Sequence, residues 1–312
     1  MILIIYSIVV TNDAMQWLEK CLGSLVDSTV STKIIVVDNQ STDGTPDKIR
    51  ALFPLIELIE PRQNLGFGKA NNIGLSRALE EGADYVFLLN QDAWVEKDTI
   101  DKLLSIKNPE FAILSPMHFN GQGNLLDVKF ANYLLSTLTP ESISDIILNR
   151  FKTLYETPYV NAAAWLLNMK CVEIIGGFDP TFFMYGEDDN YVLRVKYYGY
   201  KIGICPLAKI YHDRQFRDNT KWDGLYAMKK NSMIYLKDLN KSFLNRFVTF
   251  ILTQSITTLK DMFHLRFHSI FIDILSIFYV SVSLRKIIDS RLKAKKPCAF
   301  LKNDKIYTRC DP

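Results

Sequence analysis

The sequence predicts a doubly wound, mostly parallel α/β sheet with a helical C-terminal extension. Three observations lead there. Short apolar runs and amphipathic runs alternate through residues 1–90. Several of the apolar runs are continuous rather than alternating, as strands covered on both faces are. From Trp222 onward the pattern changes to long helical runs.

Met1–Val10 is apolar, lacks a basic leader and is too short to cross a bilayer. It reads as a first buried strand ending at Thr11-Asn12-Asp13. Between about Met15 and Val26, Leu18, Cys21, Leu22 and Leu25 recur at helical spacing. Lys33–Asp38 is a second strand. A polar turn then leads into a helix over Thr45–Leu52, with Ser41 or Thr42 as the expected cap. Leu55–Glu60 is a third strand, Pro61–Lys69 a Gly-containing loop, and Ala70–Glu81 a helix closed by Gly82. Asp84–Leu89 is a fourth strand, and it runs out into Asn90-Gln91-Asp92.

Polar strand ends at Thr11, Asp38 and Asp92 would gather at the carboxyl edge of the sheet, where open α/β sheets bind ligands. One aspartate in such a place is ordinarily a turn or helix cap. Three polar ends on one edge predict a site. A carboxylate there can hold a metal, and the metal a phosphate.

The periodicity weakens from Asn120 to Thr157. Gly121–Asn124 reads as a turn, and the stretch through Arg150 as a mobile or acceptor-facing insertion. Asn161–Leu167 regains strand character. An aromatic loop, Phe182–Tyr185, then leads into Glu187-Asp188-Asp189 and a helix over Tyr191–Tyr198, closed by Gly199. Acids in a first turn suit the helix dipole. Acids beside aromatic walls are also desolvated, and their pKa values rise toward the range of a general base. Two short strands follow, Lys201–Pro206 and Lys209–His212. They leave His212 at a strand end, where it is a candidate metal ligand.

In the C-terminal part, Leu225–Leu239, Phe243–Leu259 and Phe267–Leu284 read as helices. The last two are largely apolar but interrupted, and neither is a clean run of about 20 apolar residues. Basic residues border both. A membrane surface and a helical pair packed on the first domain or in a homodimer fit this pattern equally well. From Lys293 the chain reads as a charged, frayed end.

The 312 residues, 48% hydrophobic and 23% charged, are globular in composition. A formal charge of +3 is too small to point to nucleic acid. Five dispersed cysteines without a CxxC fit reduced thiols in a cytosol-facing protein, and only four histidines argue against a His/Cys zinc site.

Taken in order, Ser7–Asn12, Ile35–Thr45, Asn64–Gly74, Leu88–Asp92, Gly176–Asp179, Phe183–Asp188 with Arg194, and Gly199-Tyr200 resemble the blocks of the family-2 glycosyltransferases, which have the GT-A fold. The resemblance covers about residues 1–215. The Asn-x-Asp form and the Asn-Leu-Gly-Phe block resemble the rhamnosyltransferase-like branch.

The resemblance implies a nucleotide-sugar-binding and catalytic domain over 1–220 and a helical extension over 221–312. It implies that Thr11 and Asp38 hold the base and ribose, with Asn39 and Asp43 near them. The loop with Asn64, Gly66 and Asn71 would shape the nucleotide pocket. Asp92 would bind Mg²⁺ or Mn²⁺ at the donor diphosphate, with Asn90 beside it and His212 completing the shell. Asp188 would be the general base and Glu187 its neighbour. The implied reaction is inverting. The donor would be dTDP-rhamnose or a UDP-hexose, the acceptor a glycan or lipid-linked saccharide in cell-surface polysaccharide synthesis. The implied setting is the cytoplasm, at the inner face of the membrane if the tail touches it.

The Gln-x-x-Arg-Trp motif of the family's processive members does not occur, which implies one sugar per reaction. Asn90 stands where the family has the first acid of its metal-binding pair. A sugar nucleotidyltransferase would need a Gly-rich, Arg-containing loop after the first strand; here stands Thr11-Asn12-Asp13-Ala14. A nucleotide-sugar-binding module without catalysis would tolerate loss of Asp92 and Asp188, yet both are present.

Overall fold

A computed structural model describes residues 3–106, 108–137, 139–214 and 224–301. The domain boundary expected at 220/221, and Trp222 with it, lie outside the described residues. The first half alternates as expected: β1 (Ile5–Thr11), α1 (Leu18–Val26), β2 (Lys33–Asp38), α2 (Thr45–Leu52), β3 (Glu57–Ile59), α3 (Phe67–Glu80) and β4 (Tyr85–Asn90). Next come β5 (Ala93–Val95), α4 (Thr99–Leu104), β6 (Phe111–Asn120), α5 (Val128–Thr137), α6 (Pro140–Ile147) and β7 (Tyr155–Glu156). Then follow β8 (Ala164–Asn168), α7 (Met169–Ile175), α8 (Glu187–Tyr197) and β9 (Lys201–His212). Three helices close the described chain: α9 (Leu225–Lys237), α10 (Phe243–Phe263) and α11 (Phe267–Lys293).

The strands form one sheet in the order β3-β2-β1-β4-β8-β6-β9-β5, with β7 against β9. Its first half, β3 through β4, is parallel. Its second half is mixed: β8 is antiparallel to β4 and β6, whereas β6 and β9 run parallel. The period of two in a strand decides what each face buries. On β4, Val86 and Leu88 enter one core with Ala70 and Leu75 of α3 and Tyr191 and Val195 of α8. Phe87 and Leu89 enter the other, with Leu18 and Leu22 of α1, Ile49 of α2 and Ile100 of α4. A strand buried on both sides must be apolar at every position, which is why β4 shows no alternation.

Several expectations change. The cap of α2 is not Ser41 or Thr42. Gly44 occupies that position at φ +88°, Asp43 accepts from the Thr45 amide at 3.0 Å, and Ser41 instead donates its hydroxyl to Asp38 at 2.6 Å. α3 begins three residues earlier than the pattern indicated, at Phe67, because Gly66 makes the turn into it. The two strands expected at 201–206 and 209–212 are one strand, β9, whose register against β6 shifts opposite Pro116 and Met117. The sequence pattern predicts no element where β5, α4, β6 and α7 stand, and the weak stretch holds two short helices, α5 and α6, and the two-residue β7.

The C-terminal helices are fastened to the sheet domain. Phe182 of the aromatic loop packs with Met233 and Leu236 of α9, Phe250 of α10, and Val280 and Ile287 of α11. Lys237 donates to Asp179 at 2.7 Å and to Ser290 at 2.9 Å, all three buried. Nor does the chain fray directly after Lys293. The Gly177 amide donates to Ala299 at 2.8 Å, the Cys298 amide donates to Glu173 at 2.7 Å, and Leu301 is buried against the core.

Candidate active site

Parallel register sets the sheet edge. Thr11 of β1 lies opposite Asp38 of β2, and Val10 opposite Asn90 of β4. The chain then reverses at Gln91-Asp92 into β5, whose Ala93 pairs with His212 at the end of β9. The Asp213 amide donates to the Asp92 carbonyl at 2.8 Å, which locks this crossing. Asp92 Oδ1 consequently stands 3.2 Å from His212 Nε2, both residues buried. On the other side of the ring, Nδ1 is 3.7 Å from Asp127 Oδ2 and has no hydrogen-bond partner.

A cavity of about 530 Å³ opens above this edge. It brings together seven of the residues singled out from the sequence: Asn39, Asn64, Asn90, Asp92, His212, Glu187 and Asp188. Five others do not line it. Thr11 donates to Asp38 at 2.8 Å, and Asp38 in turn holds Ser41. Asp43 ties the Met15 amide (3.0 Å) and Thr45, and Asn71 donates to the Phe67 carbonyl within its own helix. These four tie neighbouring segments of the chain to one another. Gly66 acts through its missing side chain. At φ +77° a Cβ would lie 2.0 Å from the Phe183 carbonyl oxygen, so the loop before α3 presses directly on the aromatic loop before α8. The Phe67 amide donates to that same carbonyl at 3.1 Å.

The acidic end of α8 forms the other wall. Asp188 accepts from the Tyr159 hydroxyl at 3.1 Å and from the Asp189 amide at 2.9 Å. Each carboxylate oxygen keeps a lone pair for a substrate proton. Burial, with the Asp188 charge beside it, pushes the Glu187 carboxyl well above the usual carboxylate range, and its Oε2 has no hydrogen-bond partner. Burial and Asp188 also raise Asp189. Burial foremost, then Asp188, raises the Tyr159 phenol and keeps it a donor. Lys129, Lys230 and Arg214 bring positive charge to the same cavity.

Sequence reasoning missed Asp127, Tyr159 and Lys230. Asp127 accepts from the Phe130 amide at 2.8 Å and from Arg214 Nε at 2.6 Å, and so braces His212 from behind. An Asp three residues before an apolar position is a helix-start signal, and it was readable there.

Asp92 and His212 offer one carboxylate oxygen and one imidazole nitrogen. Among the described residues no group of three or more His, Cys, Asp or Glu can hold an ion alone. Such a donor set fits a divalent cation that takes its remaining ligands from water and phosphate oxygens. The buried Asn90 Oδ1, which has no hydrogen-bond partner, fits the same need.

Residues 7–170 match the family described as Glycosyl transferase family 2. The chain belongs to that family. Among relatives of this glycosyltransferase is the dTDP-rhamnosyl transferase RfbF of Shigella flexneri, 26% identical over 211 residues, or 67% of this chain and 68% of that one. Another is the N-acetylglucosaminyl-diphospho-decaprenol L-rhamnosyltransferase of Mycobacterium tuberculosis, 25% identical over 260 residues, or 74% and 83%. The fold resembles that of the mannosyltransferase PcManGT from Pyrobaculum calidifontis, solved with GDP-Man and Mn²⁺. That likeness has a TM-score of 0.56 and 17% identity, and covers 89% of this chain and 75% of the other. GalNAc-T7, solved with UDP, GalNAc and Mn²⁺, gives 0.56 and 16%, over 77% of this chain and 52% of its own. The GT-A fold expected from the sequence is thereby shown. The family match ends before α8, so Asp188 and its neighbours are read from geometry.

Proposed function

We propose that this glycosyltransferase moves one sugar at a time, with inversion, from a nucleoside-diphosphate sugar to a saccharide hydroxyl in cell-surface polysaccharide synthesis. The names of its relatives favour dTDP-rhamnose as donor and a lipid-linked saccharide as acceptor; a UDP-hexose is the other donor in view. One observation carries the mechanism. Asp188 is held by Tyr159 and its own helix start in the cavity that also contains the Asp92–His212 pair.

Asp188 takes the proton of the acceptor hydroxyl. That oxygen bonds to the anomeric carbon while the bond from that carbon to the diphosphate oxygen breaks, and the nucleoside diphosphate leaves with the electron pair. Asp92 and His212 would hold a Mg²⁺ or Mn²⁺ ion, which supplies neutralisation of the diphosphate charge. Asn39 and Asn64, joined at 2.9 Å on the cavity wall, would orient the nucleoside. The buried Glu187, held uncharged, would keep a second negative charge away from Asp188.

Asp188→Asn tests this. Sugar transfer should fall by roughly 10²–10⁴, with stabilisation by the nucleotide sugar retained. Full transfer in that variant would remove Asp188 from its role. A product with retained anomeric configuration would remove the inverting displacement.

A further inference from the structure

The hairpin of α10 and α11 carries an apolar surface that the protein leaves uncovered. Leu252, Ile256 and Leu259 of α10 and Phe267, Phe271 and Phe278 of α11 are exposed at spacings of three, four and seven. Such spacings keep side chains on one face of a helix. Phe263, the last residue of α10, is 89% exposed. By length and composition α11 could cross a membrane: its apolar window has a mean hydropathy of 1.7 and is only 11% buried.

Charge is absent from the middle of this face and gathered at its borders. Between Phe247 and Leu259 α10 has no Asp, Glu, Lys or Arg, and between Phe267 and Leu284 α11 has only Asp273. Asp273 accepts from Thr258 across the hairpin at 3.3 Å, so it is held between the helices. From Arg246 to Lys296 the segment has nine Lys or Arg against three Asp; Arg246 and Arg291 bond to the protein, and the other seven are exposed. An isologous contact with a second copy would set these basic borders against each other. An anionic bilayer accepts both features, the apolar stripe at the acyl boundary and the basic residues at the headgroups.

We propose that the α10–α11 hairpin lies on an anionic lipid surface, with its aromatic stripe in the acyl boundary and Lys260, Arg266 and Arg285 on the headgroups. The charged turn and the buried C-terminal end of α11, where Ile287, Ser290 and Arg291 face the protein, fit a hairpin lying along the surface rather than across it. α9 connects the hairpin to the cavity. Lys230 lines the cavity, while Met233 and Leu236 pack on Phe250 and Val280. Docking would therefore hold the cavity at the lipid surface, within reach of a lipid-borne acceptor. That consequence rests on the proposed reaction; the docking itself does not.

The test is co-sedimentation of the full chain with vesicles, without donor or acceptor, so its outcome is independent of sugar transfer. The chain should bind phosphatidylcholine vesicles containing phosphatidylglycerol, bind pure phosphatidylcholine weakly, and release in high salt. Phe263→Ser/Phe271→Ser/Phe278→Ser should abolish binding with an unchanged thermal midpoint, since all three side chains are exposed. Lys260→Gln should weaken it about fivefold. If the triple variant unfolds, Lys260→Glu/Arg266→Glu asks the same question through charge alone. Absence of binding by the parent chain, or binding unaffected by both sets of substitutions, overturns the proposal. So does resistance of bound protein to alkaline extraction, which indicates a span. A dimer in solution that the triple variant converts to monomer assigns the face to a second copy and overturns it too.

Discussion

Replacing Lys237 by Met tests whether the C-terminal helices belong to the same cooperative unit as the active site. The Lys237 ammonium lies 2.7 Å from Asp179 and 2.9 Å from Ser290, with Thr181 also accepting from it; Ser290 donates to Asp179 at 2.5 Å. Asp179 follows Gly176-Gly177-Phe178, directly before the aromatic loop of the site. Burial acts on both partners in opposite senses. It lowers Lys237 to about 8, against the attraction of Asp179. For Asp179 burial raises the pKa, but the Lys237 charge and the bonds from Lys237, Ser290 and Thr181 outweigh it and leave the carboxyl below its ordinary value. Both groups are thus ionised at neutral pH.

Methionine keeps most of the lysine stem and removes the charge, which leaves a buried carboxylate with its hydroxyl donors only. Breaking one side of a buried pair costs about 3–5 kcal/mol, and that is the loss expected in urea denaturation at neutral pH. A depressed carboxylate stabilises the fold above its unfolded pKa and loses that contribution as pH falls through its folded pKa. The deficit of the variant should therefore shrink on acidification. Lys237→Met/Asp179→Leu, which removes both charges, should recover much of the loss. A deficit below about 1 kcal/mol, or one that does not change with pH, would refute the reasoning.

Other expectations follow from the site. Gly66→Ala should destabilise by about 2–5 kcal/mol, from a strained positive φ and a Cβ driven onto the Phe183 carbonyl; an unchanged midpoint in denaturant would show that the two loops separate easily. The raised pKa of Glu187 means that the folded state holds a proton the unfolded state has lost, so this residue makes stability fall as pH rises from the ordinary carboxylate range through its raised value. Glu187→Gln removes that term, and its midpoint relative to the parent should climb with pH over that window; a constant difference contradicts a neutral Glu187. With nucleoside diphosphate present, Mn²⁺ should raise the thermal midpoint of the parent and not of Asp92→Asn, and chelator should reverse the gain. An equal rise in both would place the ion elsewhere.

Much of the first half was legible because β1, β2 and β4 are buried on both faces. β2 and α2 have the bounds that their apolar runs and flanking turns indicate. The second half was less legible for a physical reason. β6 and β9 carry Pro116 and Pro206 within the strand and a register shift between them, so polar and apolar residues fall out of step. The helix caps misled where side chains had other partners, as when Ser41 bonds Asp38 instead of a helix amide. The acids of α8 were visible as a run. What separates them was not: Asp188 has Tyr159 and an amide, while Glu187 is enclosed with one oxygen unpaired. That difference comes from long-range packing, because Tyr159 is 29 residues away in the chain.

The turn Asn90-Gln91-Asp92 shows how one short segment divides its work. A strand running to Asn90 sets only the height at which the chain leaves the sheet. Gln91 then fixes the direction, accepting from the Asn12 amide at 2.6 Å and donating to the Asn12 carbonyl at 3.0 Å, so that the turn is buttoned to the end of β1. With Gln91 committed there, the next residue must face the opposite way, and the antiparallel pairing of β5 with β9 carries Asp92 to His212. Asn90 keeps a buried amide oxygen at the cavity without adding charge. An acid at Asn90 would bring a second carboxylate into the cavity with Asp92, and the amide avoids that repulsion. The tight turn therefore accounts for the meeting of Asp92 and His212, and the neutral Asn90 leaves one carboxylate beside one imidazole on this side of the cavity, which the acidic start of α8 also lines.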